Sequence, residues 1–243
     1  MDITQHKNKA SQSFINAAVD FENIERILLY FKVSNDLITE NVRKSIAKLT
    51  FFNDKLEIPY ELDPKREKEF LKINSYEKTL ATMMYVKTID NFENYFKEIL
   101  SEIVISDPRV LRSKETEQLD FILAFDDYKS LVNAIAEKKI EELFYQNVNS
   151  IQKFFKDKLG VSIFKEKADQ INLLIKQRNL AVHNRSKISK DFIRQFPNEN
   201  LIEAMYLNFN FDYVEKIVPA LYKIINELDN EFNHKFNLTQ IEY

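Results

Sequence analysis

The sequence predicts a soluble, all-α protein, and three observations favour this prediction. The 243 residues include one glycine and five prolines, whereas tight hairpins and doubly wound sheets need residues that tolerate positive φ. Apolar residues recur at spacings of three and four over long stretches, which is the spacing of an amphipathic helix. Hydrophobic residues make up 44% of the chain and charged residues 30%, a mixture typical of a soluble globular protein. We therefore expect an antiparallel helical bundle.

The composition also excludes several classes of functional site. A chain with one glycine cannot form a glycine-rich phosphate loop. The absence of cysteine excludes disulfides, thiol nucleophiles and thiolate metal sites, and the three histidines are too scattered to suggest zinc. The 35 basic and 38 acidic residues give a net charge of −3, which excludes a uniformly basic nucleic-acid binder but permits a local basic patch. We expect no metal and no cofactor.

Nothing in the sequence indicates a membrane. The first 14 residues lack the apolar stretch of a signal peptide, and no run of 18 apolar residues occurs. The sequence favours a soluble, cytoplasmic protein with no membrane partner.

Residues 1–70 predict an N-terminal extension made of a helical hairpin and a linker. Apolar residues repeat at helical spacing over residues 14–31 and again over 37–49. Pro59 and Pro64 then break the periodicity and favour an extended connection. We place a domain boundary near residues 65–75 and assign no role to the extension.

Residues 71–243 predict a bundle of four to five long helices. Asp126 and Asp127 are candidate N-caps for the second of them, and Gly160 is a candidate C-cap. The second predicted helix could also be two helices broken near Lys138. Pro219 should kink the last helix. The predicted helices cover residues 75–105, 126–159, 164–184 and 212–233.

The predicted helix over residues 164–184 carries the one feature that a plain bundle does not explain. Its apolar stripe has an arginine, Arg178, where the alternation of three and four requires an apolar residue; the stripe is Ala168, Ile171, Ile175, Arg178 and Val182. A buried charge costs several kcal/mol unless it is paired, so Arg178 must have a partner or line a cleft. The candidate partners are Glu93, Glu98 and Glu102 on the first long helix of the bundle.

A second, polar stripe runs beside the first one. It consists of Asn172, Lys176, Asn179 and His183. Asn179 and His183 are four residues apart and can touch. Arg178 and His183 are five apart, about 140° around a straight helix. A partner helix, a local distortion or a second subunit must therefore bring Arg178 and His183 together.

Residues 178–183, Arg-Asn-Leu-Ala-Val-His, resemble the motif of HEPN domains, in which an arginine and a polar residue precede a histidine. HEPN domains are helical bundles of toxin, phage-defence and RNA-processing ribonucleases. The resemblance covers about residues 75–235, and the motif stands late in the bundle, as it does in that family. One departure is Gln177, where some family toxins have lysine.

The resemblance implies a metal-independent endoribonuclease in which the RNA 2′-hydroxyl attacks the adjacent phosphate. It implies that His183 acts as acid or base, that Arg178 stabilises the developing charge, and that Asn179 orients the imidazole or phosphate. It also implies a homodimer through the motif helix and an antitoxin or other defence-system partner.

A basic segment around the motif predicts contacts with RNA phosphates. Residues 176–194 hold six basic side chains and a single acid, Asp191, a local charge of +5. The candidate RNA-binding residues are Lys176, Asn184, Arg185, Lys187 and Lys190. An ordinary solvated helix end is an equal alternative.

Three other interpretations of the motif stay open. His183 could only cap the C-terminus of its helix. The domain could be a non-catalytic HEPN module that binds RNA, a nucleotide or a partner protein. It could also be a helical dimerisation protein in which Arg178 belongs to a structural ion pair.

Overall fold

The computed structural model describes residues 10–43, 74–199, 202–238 and 241. These residues form an all-α helical bundle, as the sequence predicts. Eight α-helices occur in them: α1 (Gln12–Arg43), α2 (Asn74–Ser106), α3 (Leu119–Leu123), α4 (Tyr128–Phe144), α5 (Val148–Phe154), α6 (Ala168–His183), α7 (Lys190–Gln195) and α8 (Phe211–Phe236). The only β pairing in the described residues is two isolated bridges, Ala10 with Ile241 and Lys187 with Tyr206.

Helix α2 is the centre of the bundle and packs against α1, α4, α6 and α8. It confirms the helix predicted over residues 75–105. The stripe that predicted it is buried throughout: Tyr85, Ile89, Phe92, Phe96, Ile99 and Ile103. A helix surrounded in this way needs apolar residues on most of its circumference, which explains why Tyr95 and Leu100 are buried as well.

The predicted N-terminal hairpin is wrong for the described residues, because α1 is one continuous helix. Residues 32–36, between the two apolar repeats, hold no glycine or proline that would break a helix. Helix α1 packs against α2 and α8 and buries Phe14, Phe21 and Leu28 in the common core. The predicted linker with its prolines and the boundary near residue 70 lie outside the described residues.

Carboxyl groups of two other helices hold the N-terminus of α1. Ser11 caps the helix, since its Oγ accepts from Phe14 N at 3.0 Å, and that same hydroxyl donates to Asp229 of α8. Ser13 N donates to Glu102 Oε1 of α2 at 2.7 Å. Helix α1 has no acidic residue in its own first turn. The carboxyl groups of α2 and α8 therefore satisfy donors at its positive end.

The caps predicted around the second long helix of the bundle are confirmed. Asp127 Oδ1 accepts from Ser130 N at 2.9 Å, and Gly160 ends the helical segment with a φ of 62°. The helix does not break near Lys138. It ends at Phe144, and Asn147 then begins α5 as a new N-cap.

Candidate active site

Two tyrosines, the buried Tyr85 and the half-buried Tyr213, fix the rotation of α6 against the bundle. The Tyr85 hydroxyl donates to Leu174 O at 2.8 Å and lies 3.0 Å from Gln177 Oε1, which accepts from Tyr213 OH at 3.1 Å. Burial raises the pKa of both tyrosines, so they remain protonated donors. A lysine at position 177 could not accept these bonds. Gln177 thus faces the bundle, and its position determines where Arg178 and Asn179 point.

Arg178 has a partner, as its stripe position predicts, but the partner is Asp90 rather than any of the three glutamates. Arg178 Nε and Nη2 lie 2.6 and 2.5 Å from Asp90 Oδ1. Arg178 Nη1 donates to Asn179 Oδ1 at 3.0 Å. The arginine side chain is 25% exposed and that of Asp90 is 32% exposed. The pair therefore stands at the edge of the core, where its charge reaches solvent.

Arg178, Asn179 and His183 line one cleft of about 450 Å³ between α2, α6 and the α4–α5 connection. The other lining residues of α6 are Asn172, Ile175 and Lys176. At about 100° per residue, these six positions extend over about 160° of the helix circumference. One wide face of α6 can thus hold both Arg178 and His183. The structure brings them to the same cleft within one chain, and no second subunit is needed for that.

Glu93 is a cleft residue that the sequence offered only as an ion-pair partner. It lies on α2, one turn after Asp90, and lines the cleft together with Lys97. Burial raises the pKa of its carboxyl group, while the positive charges of Arg178 and Lys97 act in the opposite direction. The signal in the sequence that could have identified Glu93 is its spacing of three residues from Asp90 and four from Lys97, which places all three on one face of α2. A carboxyl group with a raised pKa that lines the same cleft as a histidine is suited to proton transfer.

The predicted RNA-binding residues fall into two groups. Lys176 lines the cleft, whereas Asn184, Arg185, Lys187 and Lys190 are exposed just after α6. The Asn184 side chain donates to Lys187 O at 2.6 Å and so shapes the turn. Lys190 Nζ lies 3.8 Å from Glu203 Oε1. Arg185 and Lys187 are the exposed cations nearest to the end of the motif helix.

The turn after His183 is tightly defined. Arg185 and Ser186 have positive φ values of 52° and 63°, and Ser186 N donates to Leu180 O at 2.8 Å. This bond, together with the bond from Asn184 N to the same carbonyl at 3.0 Å, closes the C-terminus of α6. It holds His183, which is exposed, in the last turn of a well-terminated helix.

Comparison of the chain with protein-family models, with curated proteins and with solved structures finds no match. The HEPN assignment stays a prediction from residues 178–183. Across the described residues, every helix is too short or too polar to span a bilayer. The same residues contain no cluster of three or more histidine, aspartate or glutamate side chains arranged to hold a metal ion.

Proposed function

We propose that the protein is a metal-independent endoribonuclease of the HEPN type that acts in a toxin–antitoxin or phage-defence setting. The observation that carries this proposal is the cleft lined by Arg178, Asn179 and His183 of α6 and by Glu93 of α2. Cleavage by the 2′-hydroxyl needs a base, an acid and a cation near the phosphate, and Glu93, His183 and Arg178 are our candidates for these three roles.

His183 and Glu93 carry the two proton transfers of this reaction. The Glu93 carboxylate takes the proton from the 2′-hydroxyl while the 2′-oxygen forms its bond to phosphorus. The bond from phosphorus to the 5′-oxygen breaks, and the His183 imidazolium gives its proton to that oxygen, since imidazole exchanges protons near neutral pH. The products are a 2′,3′-cyclic phosphate and a 5′-hydroxyl.

Arg178 stabilises the negative charge that develops on the phosphorane. Asp90 and Asn179 hold its guanidinium on two sides, at 2.6 and 3.0 Å. A donor held in place before the reaction needs little reorganisation in the transition state. Lys176, Arg185, Lys187 and Lys190 would attract the flanking phosphates, and the turn formed by Asn184 presents two of these cations.

The proposal also includes a homodimer formed through α6, an antitoxin or defence-system partner, and a cytoplasmic location. One chain supplies Arg178, Asn179 and His183 to its own cleft. A dimer would therefore extend the surface that binds RNA rather than assemble these three residues.

The second candidate function is a HEPN module that binds RNA without cleaving it. The observation that favours it is the ion pair of Arg178 with Asp90, which neutralises part of the charge available to a phosphate. The two candidates differ in one result, because only the ribonuclease converts bound RNA to shorter products.

Cleavage of RNA is expected to persist when all divalent cations are removed. The proposed groups are side chains of the protein, so no step depends on a bound metal. The measurement is cleavage of a mixed RNA substrate by the purified protein with and without excess EDTA. Loss of cleavage on addition of chelator, with recovery on addition of Mg²⁺, would contradict this mechanism.

The variant Glu93→Gln is expected to lower cleavage by about 100-fold while leaving the protein at least as stable at neutral pH. The folded state binds the Glu93 proton more tightly than the unfolded state does, because burial raises this pKa. The contribution of Glu93 to the free energy of unfolding therefore falls as pH rises through the raised pKa. Glutamine does not ionise, so the variant does not lose stability in this way at neutral pH. The measurements are the cleavage rate and the melting temperature as functions of pH.

The pH profile separates a catalytic Glu93 from a structural one. The cleavage rate of the wild type should fall as the pH is lowered through the raised pKa of Glu93, which lies above the usual range of a glutamate. The residual cleavage rate of Glu93→Gln should not show this fall. The matched control is Glu98→Gln, an exposed position on the same helix whose carboxyl group accepts from Asn16. An unchanged rate in Glu93→Gln would remove Glu93 from the mechanism.

A further inference from the structure

The turn between α4 and α5 places an aromatic ring in solvent beside the cleft. Tyr145 is 91% exposed, the most exposed large hydrophobic side chain among the described residues, and it lines the cleft. Most aromatic rings of the described residues pack in the core, because burying a ring is strongly favourable. The Tyr145 ring makes no such contribution to folding, so its place at the cleft calls for another explanation.

The backbone around Tyr145 forms a hydrogen-bonded turn. Tyr145 N donates to Glu141 O at 3.0 Å, and Gln146 N donates to Leu143 O at 3.1 Å. Asn147 then caps α5 by accepting from Ser150 N at 3.0 Å. The ring is thus carried on a fixed turn rather than on a flexible loop, and a ligand that stacks on it would not have to order the backbone.

The groups next to Tyr145 suit a nucleobase. Phe144 lines the same part of the cleft, and Lys97 Nζ lies 5.7 Å from the centre of its ring. Gln146 adds a side-chain amide to the lining that can donate to and accept from the edge of a base, and the amide nitrogen of Asn147 adds a donor. An aromatic ring accepts any base by stacking, while amides discriminate between base edges.

We propose that Tyr145 is a stacking platform for one unpaired nucleobase of the RNA, placed so that the phosphate of that nucleotide reaches Arg178 and His183. This inference rests on the proposed ribonuclease function and adds to it a base subsite. A cleft of about 450 Å³ is of the size that holds a small molecule, such as one nucleotide. Paired bases stack on one another within a duplex and cannot reach Tyr145.

The test uses the absence of tryptophan from the chain. Tyr145→Trp introduces a single tryptophan at the platform, and its fluorescence reports stacking directly. The ligand is a short single-stranded RNA methylated at every 2′-oxygen, which cannot be cleaved by 2′-hydroxyl attack. We expect saturable quenching by this strand and none by the same strand in a duplex.

Tyr128→Trp is the matched control. Tyr128 lies at the first residue of α4, is 74% exposed and does not line the cleft. Its tryptophan should not be quenched by the methylated strand. Equal quenching at both positions, or quenching of Tyr145→Trp by duplex RNA, would overturn the inference.

Affinity measurements separate this inference from the proposed function. Tyr145→Ala should weaken binding of the methylated strand by about 5- to 150-fold, the contribution of one stacked base, and Tyr145→Phe should bind like the wild type. If the wild type cleaves unmodified RNA but Tyr145→Ala binds as tightly as the wild type, the base subsite is wrong and the ribonuclease stands. If the wild type cleaves nothing while Tyr145→Trp is quenched, the ribonuclease is wrong and the subsite stands.

Discussion

His183→Ala is expected to lower RNA cleavage by about 100-fold or more without loss of the folded structure. The imidazole supplies a proton to the leaving 5′-oxygen, and loss of a positioned acid or base has an effect of this size. His183 is exposed in the last turn of α6, so its removal opens no cavity in the core. The measurements are initial cleavage rates and the melting temperature.

The matched control for this variant is His234→Ala. His234 is also exposed in the last turn of a helix, α8, but it does not line the cleft. Its removal should change neither the rate nor the melting temperature. Equal rates for His183→Ala and the wild type would show that the site is assigned wrongly.

Arg178→Ala should lower cleavage to the same extent, because the phosphorane loses its cation. This variant also leaves Asp90 unpaired, but that side chain is about one-third exposed. We therefore expect a stability loss of about 1–3 kcal/mol, less than for a fully buried pair. Asn179→Ala, which removes one hydrogen bond to the guanidinium, should have an intermediate effect on cleavage. Arg26→Ala, at an exposed ion pair on α1, serves as the control.

Asp229→Ala is expected to lower the free energy of unfolding by about 3–5 kcal/mol. Asp229 is fully buried on α8, where it accepts from Ser11 Oγ, from Asn233 Nδ2 at 2.6 Å and from Tyr95 OH at 3.4 Å. Alanine leaves two hydroxyls and a side-chain amide of the interior without this acceptor. The measurement is equilibrium unfolding in urea, monitored by circular dichroism.

The control for Asp229 is Asp212→Ala on the same helix. Asp212 is exposed and lies 3.1 Å from Lys32 Nζ of α1, so its ion pair should contribute less than about 1 kcal/mol. Equal stabilities of the two variants would contradict the account in which buried carboxyl groups anchor the start of α1.

The helices of the bundle could be predicted from the sequence because their signals are local. The stripe of α2 from Tyr85 to Ile103 repeats over about five turns. Asp127 and Gly160 mark ends that depend only on neighbouring residues. The continuity of α1 was missed because a short polar segment without glycine or proline is compatible with a turn or with a solvent-facing part of a helix. Only its packing against α2 and α8 shows which one occurs.

The candidate site could be predicted in part. Arg178 on an apolar stripe predicts a partner, yet Asp90 and Glu93 stand one turn apart on α2. The register of α2 against α6 decides between them, and that register depends on tertiary contacts such as those of Tyr85 with Gln177. Tyr145 was not predicted at all, because nothing in its sequence neighbourhood distinguishes an exposed ring from a buried one.

The most direct test of the central claim is the chemistry of the RNA ends that the purified protein produces in the presence of EDTA. We expect 2′,3′-cyclic phosphates and 5′-hydroxyls, formed by the wild type and at least 100-fold more slowly by His183→Ala. Products with 5′-phosphates, or the same products at the same rate from both proteins, would contradict cleavage by 2′-hydroxyl attack in the cleft of Arg178 and His183.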